Sequence, residues 1–128
     1  MTEDYGKLSD RAAEVRVRML QRGDQLYTSA LSLAEVLVKP SAAGDEALRQ
    51  RYETVISQCA VLIPFDIDAA RVYARLRGSD RSIRAPDAIQ LACAAHAGID
   101  LFITNDDRLS QKNVPGIQFV TSLANASL

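Results

Sequence analysis

Hydrophobic residues along the chain alternate between helical and strand spacing. After Ser9, a candidate N-cap, apolar residues recur at helical intervals and predict a helix that ends at Gly23. Residues 25–28 follow as a short strand candidate. The apolar pattern of residues 32–38 predicts a second helix, which we expect Pro40 to stop because proline removes a helical hydrogen bond.

The middle of the chain repeats this alternation of helix and strand. Asp45 is the predicted cap of a helix whose apolar face we expect to join the core. That face contains Leu48, Tyr52, Val55, Ile56 and Cys59. The continuous apolar run 61–63 is typical of a strand covered on both faces. Asp66 then opens another predicted helix, which Gly78 closes.

The last third of the chain completes the pattern. Pro86 suits the first turn of a nearly all-apolar helix that runs to His96, with Gly98 at its end. Residues 101–103 form a strand candidate, followed by a short helical turn and a last strand near residues 117–120. Alternating helices and short apolar strands predict an α/β fold with a mainly parallel sheet, in which ligands bind beyond the carboxyl ends of the strands.

The composition is that of one ordinary globular domain, which we expect to span residues 1–128. It is 48% hydrophobic and 24% charged, with a net charge of −1. No apolar run is long enough to span a bilayer, and the polar, acidic N-terminus differs from a signal peptide. Cys59 and Cys93 lie in apolar helical patterns, which predicts buried free thiols in a cytoplasmic protein.

Three carboxylates stand where strands end or helices begin. Glu35 lies in the apolar helix after the first strand candidate, Asp87 stands at the head of the most apolar helix, and Asp106 follows strand 101–103. Each has a structural alternative. Ser32 and Glu35 match a capping box, Asp87 suits a helix start, and the Asp106 corner suits a plain turn.

Converging carboxylates would repel one another, and a divalent cation would relieve that repulsion. Mg²⁺ and Mn²⁺ favour oxygen ligands, and such an ion activates water and stabilises charge on a phosphodiester. The sequence offers no competing constellation. His96 is the single histidine, the two cysteines lack zinc spacing, and no glycine-rich loop suits a nucleotide.

The segments SALSLAEVL and RAPDAIQLACAAHAGIDLFITND, with the last strand candidate, resemble a PIN domain. The pattern is similar to the small ribonuclease toxins of bacterial toxin–antitoxin pairs and covers nearly the whole chain from about Lys7. The resemblance implies a three-layer α/β/α sandwich and a Mg²⁺- or Mn²⁺-dependent endoribonuclease site. Matched residue by residue, Glu35, Asp87 and Asp106 take the second, third and fourth acidic roles, as catalytic and metal-binding residues.

The resemblance also assigns roles around the last of these acids. Thr104 or Asn105 takes the polar position that steadies the site. Asp107 either assists through a bound water or serves as a surface or helix-capping residue.

The sequence departs from the PIN pattern at its start. PIN domains usually begin with an apolar strand that is central in the sheet and ends in Asp-Thr or Asp-Ser, which supplies the first acid. This chain begins MTEDYGKLSDRAAEV, and Asp4 is a poor substitute because no apolar run precedes it. We therefore expect a sheet without its usual first strand. Three explanations stay open: a truncated sequence or misassigned start, a natural loss of strand and activity, or a strand that a partner supplies by β-augmentation.

Arginines are the candidate contacts to a substrate, since they make up twelve of the fifteen basic residues. Four of them precede Asp87 and are predicted to bind RNA phosphates: Arg75, Arg77, Arg81 and Arg84. The alternative is a solvated helix end and loop.

The resemblance implies a metal-dependent endoribonuclease that is the toxin of a toxin–antitoxin pair. The expected partners are RNA, a cognate antitoxin and a second copy of the chain, with no membrane. The alternative is a degenerate, inactive PIN domain that binds RNA or protein. A phosphoacceptor receiver is disfavoured, because no lysine follows the last strand candidate.

Overall fold

The structure is a computed structural model that describes residues 2–104 and 107–122. Within these ranges the helices are α1 (Thr2–Arg22), α2 (Ala30–Ala42), α3 (Glu46–Cys59), α4 (Ile67–Ser79), α5 (Ala85–His96) and α6 (Asp107–Ser110). The strands there are β1 (Tyr27–Ser29), β2 (Val61–Ile63), β3 (Leu101–Thr104) and β4 (Phe119–Ser122). None of these helices is long and apolar enough to cross a membrane.

The strands form two parallel pairs. β1 pairs with β2, with Ser29 opposite Ile63, and β3 pairs with β4, with Leu101 opposite Phe119. No strand of the described ranges joins the two pairs. The predicted α/β class with parallel strands is therefore confirmed, and the separation into two pairs agrees with a sheet that lacks its central strand.

Helix α1 packs against residues from both strand pairs. Its buried Val15 and Met19 contact Leu26, which precedes β1, and Ile103 of β3. The apolar face of α1 is therefore buried, as its helical spacing predicts. The helix lies across the boundary between the two strand pairs.

Helix α5 is the most buried element and also contacts both pairs. Its Cys93 packs with Ile63 of β2. On the other side of the boundary, Leu91 belongs to the main core cluster, against which Phe102 of β3 and Val120 of β4 pack. The largely apolar character of α5 is explained by these contacts, because a helix with a wide hydrophobic surface must be covered by other elements.

Two predicted helix boundaries are wrong. α1 begins at Thr2, so Ser9 lies inside the helix and is not its N-cap. α2 continues through Pro40 to Ala42, although the sequence predicts that proline stops it. Proline removes one backbone donor, and here the loss falls in the last turn of α2, where the ring of Pro40 is buried. Strands β1 and β4 also begin two residues later than predicted.

The predicted apolar face of α3 is not part of the core. No residue of α3 is buried, and Tyr52 and Val55 are 37% and 50% exposed. Cys59, the last residue of α3, is exposed, so that of the two free thiols Cys93 alone is buried as predicted. Helical spacing identifies an apolar face but not the element that covers it, and α3 packs mainly against α2 and β2.

Replacing Leu91 with alanine tests the central position of α5. Leu91 is fully buried, so the truncation leaves a cavity and lowers the free energy of unfolding by about 2–5 kcal/mol. Urea denaturation followed by circular dichroism measures the loss. Leu20→Ala is the matched control, because Leu20 is exposed on α1 and its truncation costs less than about 0.5 kcal/mol. Equal losses in the two variants would contradict the placement of α5 in the core.

Candidate functional site

A network of polar side chains joins the start of α2 to α5. Ser29, the N-cap of α2, is only 4% exposed, and its Oγ donates to Gln90 Oε1 over 2.6 Å. Gln90 Nε2 in turn donates to Ser32 Oγ over 2.8 Å, and the Ser32 amide donates to Ser29 Oγ. Buried polar groups are costly unless they are hydrogen-bonded. The network therefore favours one arrangement of the two helices.

Glu35 is carried by α2, one turn beyond Ser32. The helix begins at Ala30 and is capped by Ser29, so the capping-box alternative for Ser32 and Glu35 is wrong. The Glu35 side chain is exposed, and no described residue is hydrogen-bonded or ion-paired to it. The Glu35 carboxylate is therefore not occupied by any described residue and is available to a ligand.

Asp87 lies in the first turn of α5, one turn before Gln90. The N-cap position is Arg84, whose side chain forms no capping hydrogen bond. The Asp87 side chain is half-buried and has no hydrogen bond or ion pair with a described residue. The helix dipole stabilises a negative charge at this position. Helical spacing places Asp87 on the same side of α5 as Gln90, and Glu35 on the same side of α2 as Ser32.

The predicted acid Asp106 and the supporting residue Asn105 lie outside the described residues. The strand before them is confirmed, since β3 ends at Thr104. The predicted helical turn after them is also confirmed, because Asp107 is the first residue of α6.

Glu35 and Asp87 have the chemistry that a hard divalent cation requires. Both offer carboxylate oxygens, which Mg²⁺ and Mn²⁺ prefer, and neither is neutralised by a described residue. The described residues contain no group of three or more His, Cys, Asp or Glu side chains that could hold a metal ion. The donor atoms of these two acids are of the kind that a metal site needs, and the third predicted ligand, Asp106, lies outside the described residues.

A groove of about 430 Å³ opens beside Asp87, and we call it the Asp87 groove. Two segments of the chain contribute its other polar side chains, which are Ser82, Arg84, Arg108, Gln111 and Lys112. Ile83 and Leu109 also line it, and both are buried members of the main core cluster. The groove is therefore anchored to the core on both sides.

The four arginines that the sequence predicts to bind RNA differ in their position relative to the groove. Arg84 lines it, whereas Arg75, Arg77 and Arg81 do not. Arg77 is half-buried, and its Nη1 donates to Tyr73 Oη over 3.4 Å, while Arg75 and Arg81 are exposed.

Sequence reasoning missed two basic residues of this groove, Arg108 and Lys112. Both residues follow the end of β3, whereas the predicted arginine cluster precedes Asp87. A search for basic residues before Asp87 therefore does not find them. The available signal was their position just after the predicted turn at a strand's carboxyl end.

An ion pair ties the two walls of the Asp87 groove to each other. Lys112 Nζ donates to Asp80 Oδ2 over 2.6 Å and to Ser82 Oγ over 2.9 Å. Ser82 also donates to Asp80 through its amide and its hydroxyl. Hydrogen bonds from Lys112 and then from Ser82 lower the pKa of Asp80 to about 2. The Asp80 carboxylate is therefore charged at neutral pH and connects the loop before α5 to the segment after α6.

His96 and Cys93 belong to no group of three or more metal-binding side chains among the described residues. His96 ends α5 and is exposed, with its Nε2 4.0 Å from Asp66 Oδ2, in agreement with the predicted helix C-terminal position. Cys93 is buried, its Sγ lies 3.9 Å from the Pro64 carbonyl oxygen, and burial raises the pKa of the thiol.

Two comparisons with known proteins find a match. The family model described as PIN domain matches residues 5–115. Among solved structures, the chain is similar to a member of the VapBC family of toxin–antitoxin systems, VapBC-5, from Mycobacterium tuberculosis. The two are 26% identical with a TM-score of 0.55, over 74% of this chain and 80% of that chain. A search of the curated proteins finds no match.

Replacing Gln90 with leucine tests the polar network. The substitution removes the 2.6 Å hydrogen bond from the Ser29 hydroxyl to Gln90 and leaves that hydroxyl only the longer contact of 3.4 Å with Ser32 Oγ. We expect a loss of about 1–3 kcal/mol in the free energy of unfolding. Gln58→Leu on the exposed side of α3 is the control in urea denaturation. The network has no structural role if Gln90→Leu is as stable as this control.

Replacing Lys112 with methionine tests the ion pair through pH. Because the folded pKa of Asp80 is depressed to about 2, its stabilising contribution is present above the ordinary aspartate pKa of about 4 and disappears as pH falls toward 2. In the variant, the Asp80 carboxyl should titrate closer to the ordinary value. Carbon-detected NMR measures both midpoints, with Lys39→Met on α2 as control. An unchanged Asp80 midpoint in the Lys112 variant would contradict the assignment.

Proposed function

The chain belongs to the PIN domain family, and from that premise we propose that it is a divalent-metal-dependent endoribonuclease and the toxin of a toxin–antitoxin pair. The observation that carries the proposal is the network of Ser29, Ser32 and Gln90, which joins the two helices that carry Glu35 and Asp87. Both acids lack a described charge partner. The similarity to a VapBC protein supports the toxin assignment.

The proposed metal ligands are Glu35, Asp87 and Asp106, which would hold Mg²⁺ or Mn²⁺ through carboxylate oxygens. When bound, such an ion supplies an activated water and neutralises charge that develops on the phosphodiester. Thr104, Asn105 and Asp107 are the proposed supporting residues around Asp106.

The protein's own contribution is to keep its acids in place and charged. The polar network sets α2 against α5, so Glu35 and Asp87 stand on rigid elements rather than on loops. The first turn of α5 stabilises the negative charge of Asp87 through the helix dipole. An acid held in this way needs no large rearrangement to meet a cation and its substrate.

The proposed partners are an RNA substrate, a cognate antitoxin and a second copy of the chain, in the cytoplasm. Large apolar side chains that remain exposed on the described helices support protein partners, since such residues in groups mark interaction surfaces. They include Val17 and Leu20 on α1, Val36 and Val38 on α2, and Tyr52 and Val55 on α3.

The second candidate function is an inactive PIN domain that binds RNA or protein. It is favoured by the position of Asp4, which lies within α1 and not at the end of a strand. The described residues thus provide no counterpart of the family's first acid.

Substitution of the proposed ligands distinguishes these two functions. Asp87→Asn and Glu35→Gln should remove Mn²⁺-dependent RNA cleavage and also the stabilisation by Mn²⁺, which amounts to about 2.7 kcal/mol at one hundred times the dissociation constant. Cleavage of labelled RNA with and without EDTA, and thermal unfolding with and without Mn²⁺, are the two measurements. Asp106→Asn should behave in the same way.

Asp100→Asn is the matched control, because Asp100 is exposed and precedes β3 instead of following it. The assay includes this chain and a form extended by the preceding in-frame codons of its gene. If both forms fail to cleave RNA and neither is stabilised by Mn²⁺, the enzymatic proposal is wrong. RNA binding without either effect would then support the inactive domain.

A further inference from the structure

We propose that Gln90 of α5 is a positioning residue, which acts across two helices to hold Glu35 of α2 in place for the proposed metal site. The inference rests on the proposed function for the identity of that site. It adds the residue that sets one proposed ligand relative to the other. Gln90 is not itself a ligand here, because both its Oε1 and its Nε2 are hydrogen-bonded to serine hydroxyls.

Three side chains form a closed ring of polar contacts, which we call the Gln90 ring. Ser29 Oγ donates to Gln90 Oε1 over 2.6 Å, and Gln90 Nε2 donates to Ser32 Oγ over 2.8 Å. The oxygens of Ser29 and Ser32 lie 3.4 Å apart and close the ring. Hydrogen bonds in such a network strengthen one another. Loss of any one member therefore weakens the contacts that the other two make.

The ring stands at the end of a strand, where a ligand site is expected. Ser29 is the last residue of β1 as well as the N-cap of α2. Ligands of parallel α/β sheets bind beyond the carboxyl ends of the strands. The ring thus joins this strand end and the first turn of α2 to the middle of α5.

Helix α2 has few apolar anchors that could replace the ring. Of its 13 residues only Pro40, in the last turn, is buried. None of the described core clusters includes a residue of α2, whereas α5 has five buried residues. The side-chain hydrogen bonds of the ring therefore do for the first turn of α2 what core packing does for α5.

The two acids depend on the ring to different degrees. Asp87 stands in the first turn of α5, which core packing holds in place. Glu35 is exposed and lies three residues beyond Ser32, about 4.5 Å along α2. Opening the ring should leave Asp87 where it is but release the start of α2, so that the separation of the two acids changes. Hydrogen-bond partners behind metal ligands are typically worth about 10–100-fold in metal affinity.

A purely structural role of the ring leads to a different expectation. If the ring only stabilises the fold, metal affinity should follow the overall stability of each variant. If Gln90 positions Glu35, metal affinity should fall when the ring opens and should be insensitive to a cavity elsewhere on α5. Leu91 provides the comparison, because it follows Gln90 in the chain but belongs to the main core cluster.

Titration with Mn²⁺ tests this inference without relying on RNA cleavage. The electron paramagnetic resonance signal of free Mn²⁺ gives the dissociation constant at a temperature where every variant is folded. Gln90→Leu and Ser32→Ala should each weaken Mn²⁺ binding by about 10-fold. The double variant should lose no more than either single one, because both substitutions open the same ring. Ser32→Thr retains the hydroxyl and should bind Mn²⁺ as the unsubstituted chain does.

Leu91→Ala is the control for general destabilisation. It creates a core cavity and lowers stability, but it leaves the three members of the ring in place. We expect its affinity for Mn²⁺ to be unchanged. Equal weakening by Leu91→Ala, or additive losses from Gln90→Leu and Ser32→Ala, would overturn the positioning role.

The place of the ion gives a second readout. Mn²⁺ broadens the NMR signals of nearby nuclei, so the carboxyl carbons of Glu35 and Asp87 should both broaden in the unsubstituted chain. In Gln90→Leu, the broadening at Asp87 should persist while that at Glu35 decreases. Equal broadening of the two signals in this variant would contradict the inference.

The remaining outcomes separate this inference from the proposed function. The titration uses this chain and the extended form of the cleavage assay. If neither form binds Mn²⁺, the proposed metal site is wrong and this inference falls with it. If Mn²⁺ binds and Gln90→Leu leaves the affinity unchanged, the positioning role alone is overturned. Mn²⁺ binding that depends on the ring, without RNA cleavage by either form, supports the positioning role and contradicts the enzyme.

Discussion

The burial of α5 is the constraint on which the rest of the structure depends. The two strand pairs share no hydrogen-bonded strand in the described ranges, so side-chain packing must hold them in place. α5 supplies much of that packing, with buried residues at Ala88, Leu91, Ala92, Cys93 and Ala94. Since Asp87 lies in the first turn of this helix, its position is set by the core of the protein and not by a flexible loop.

Local signals predicted the elements, whereas their environment depended on tertiary packing. Asp45 and Asp66 cap the helices that they were predicted to cap, each by accepting a backbone hydrogen bond within its own turn. Pro40 and the apolar face of α3 were interpreted wrongly for a related reason. A sequence pattern gives the local preference of a residue. Distant segments decide whether burial offsets a lost backbone hydrogen bond, and whether any element covers an apolar face.

The sequence identified the individual acids of the candidate site but not the contacts that connect their helices. Glu35 and Asp87 were identified from their places at helix starts, which are local features. The network between them joins Ser29 to Gln90 across 61 positions of the chain, a separation that local patterns do not report. Gln90 gave the available hint, because it is a long polar side chain in the middle of an apolar helix. Such a residue requires a buried partner, although the sequence does not say which.

Charge pairing separates this region from the rest of the described surface. On α3 and α4, acids and bases neutralise one another: Arg49 bridges Glu46 and Glu53, and Arg71 pairs with Asp68. Arg84 and Asp87 line the same groove, yet these two described side chains form no ion pair. An ion pair would satisfy both and leave nothing for a ligand. Keeping an acid and a base of one groove unpaired sacrifices stability, and it leaves each group available to a ligand of opposite charge.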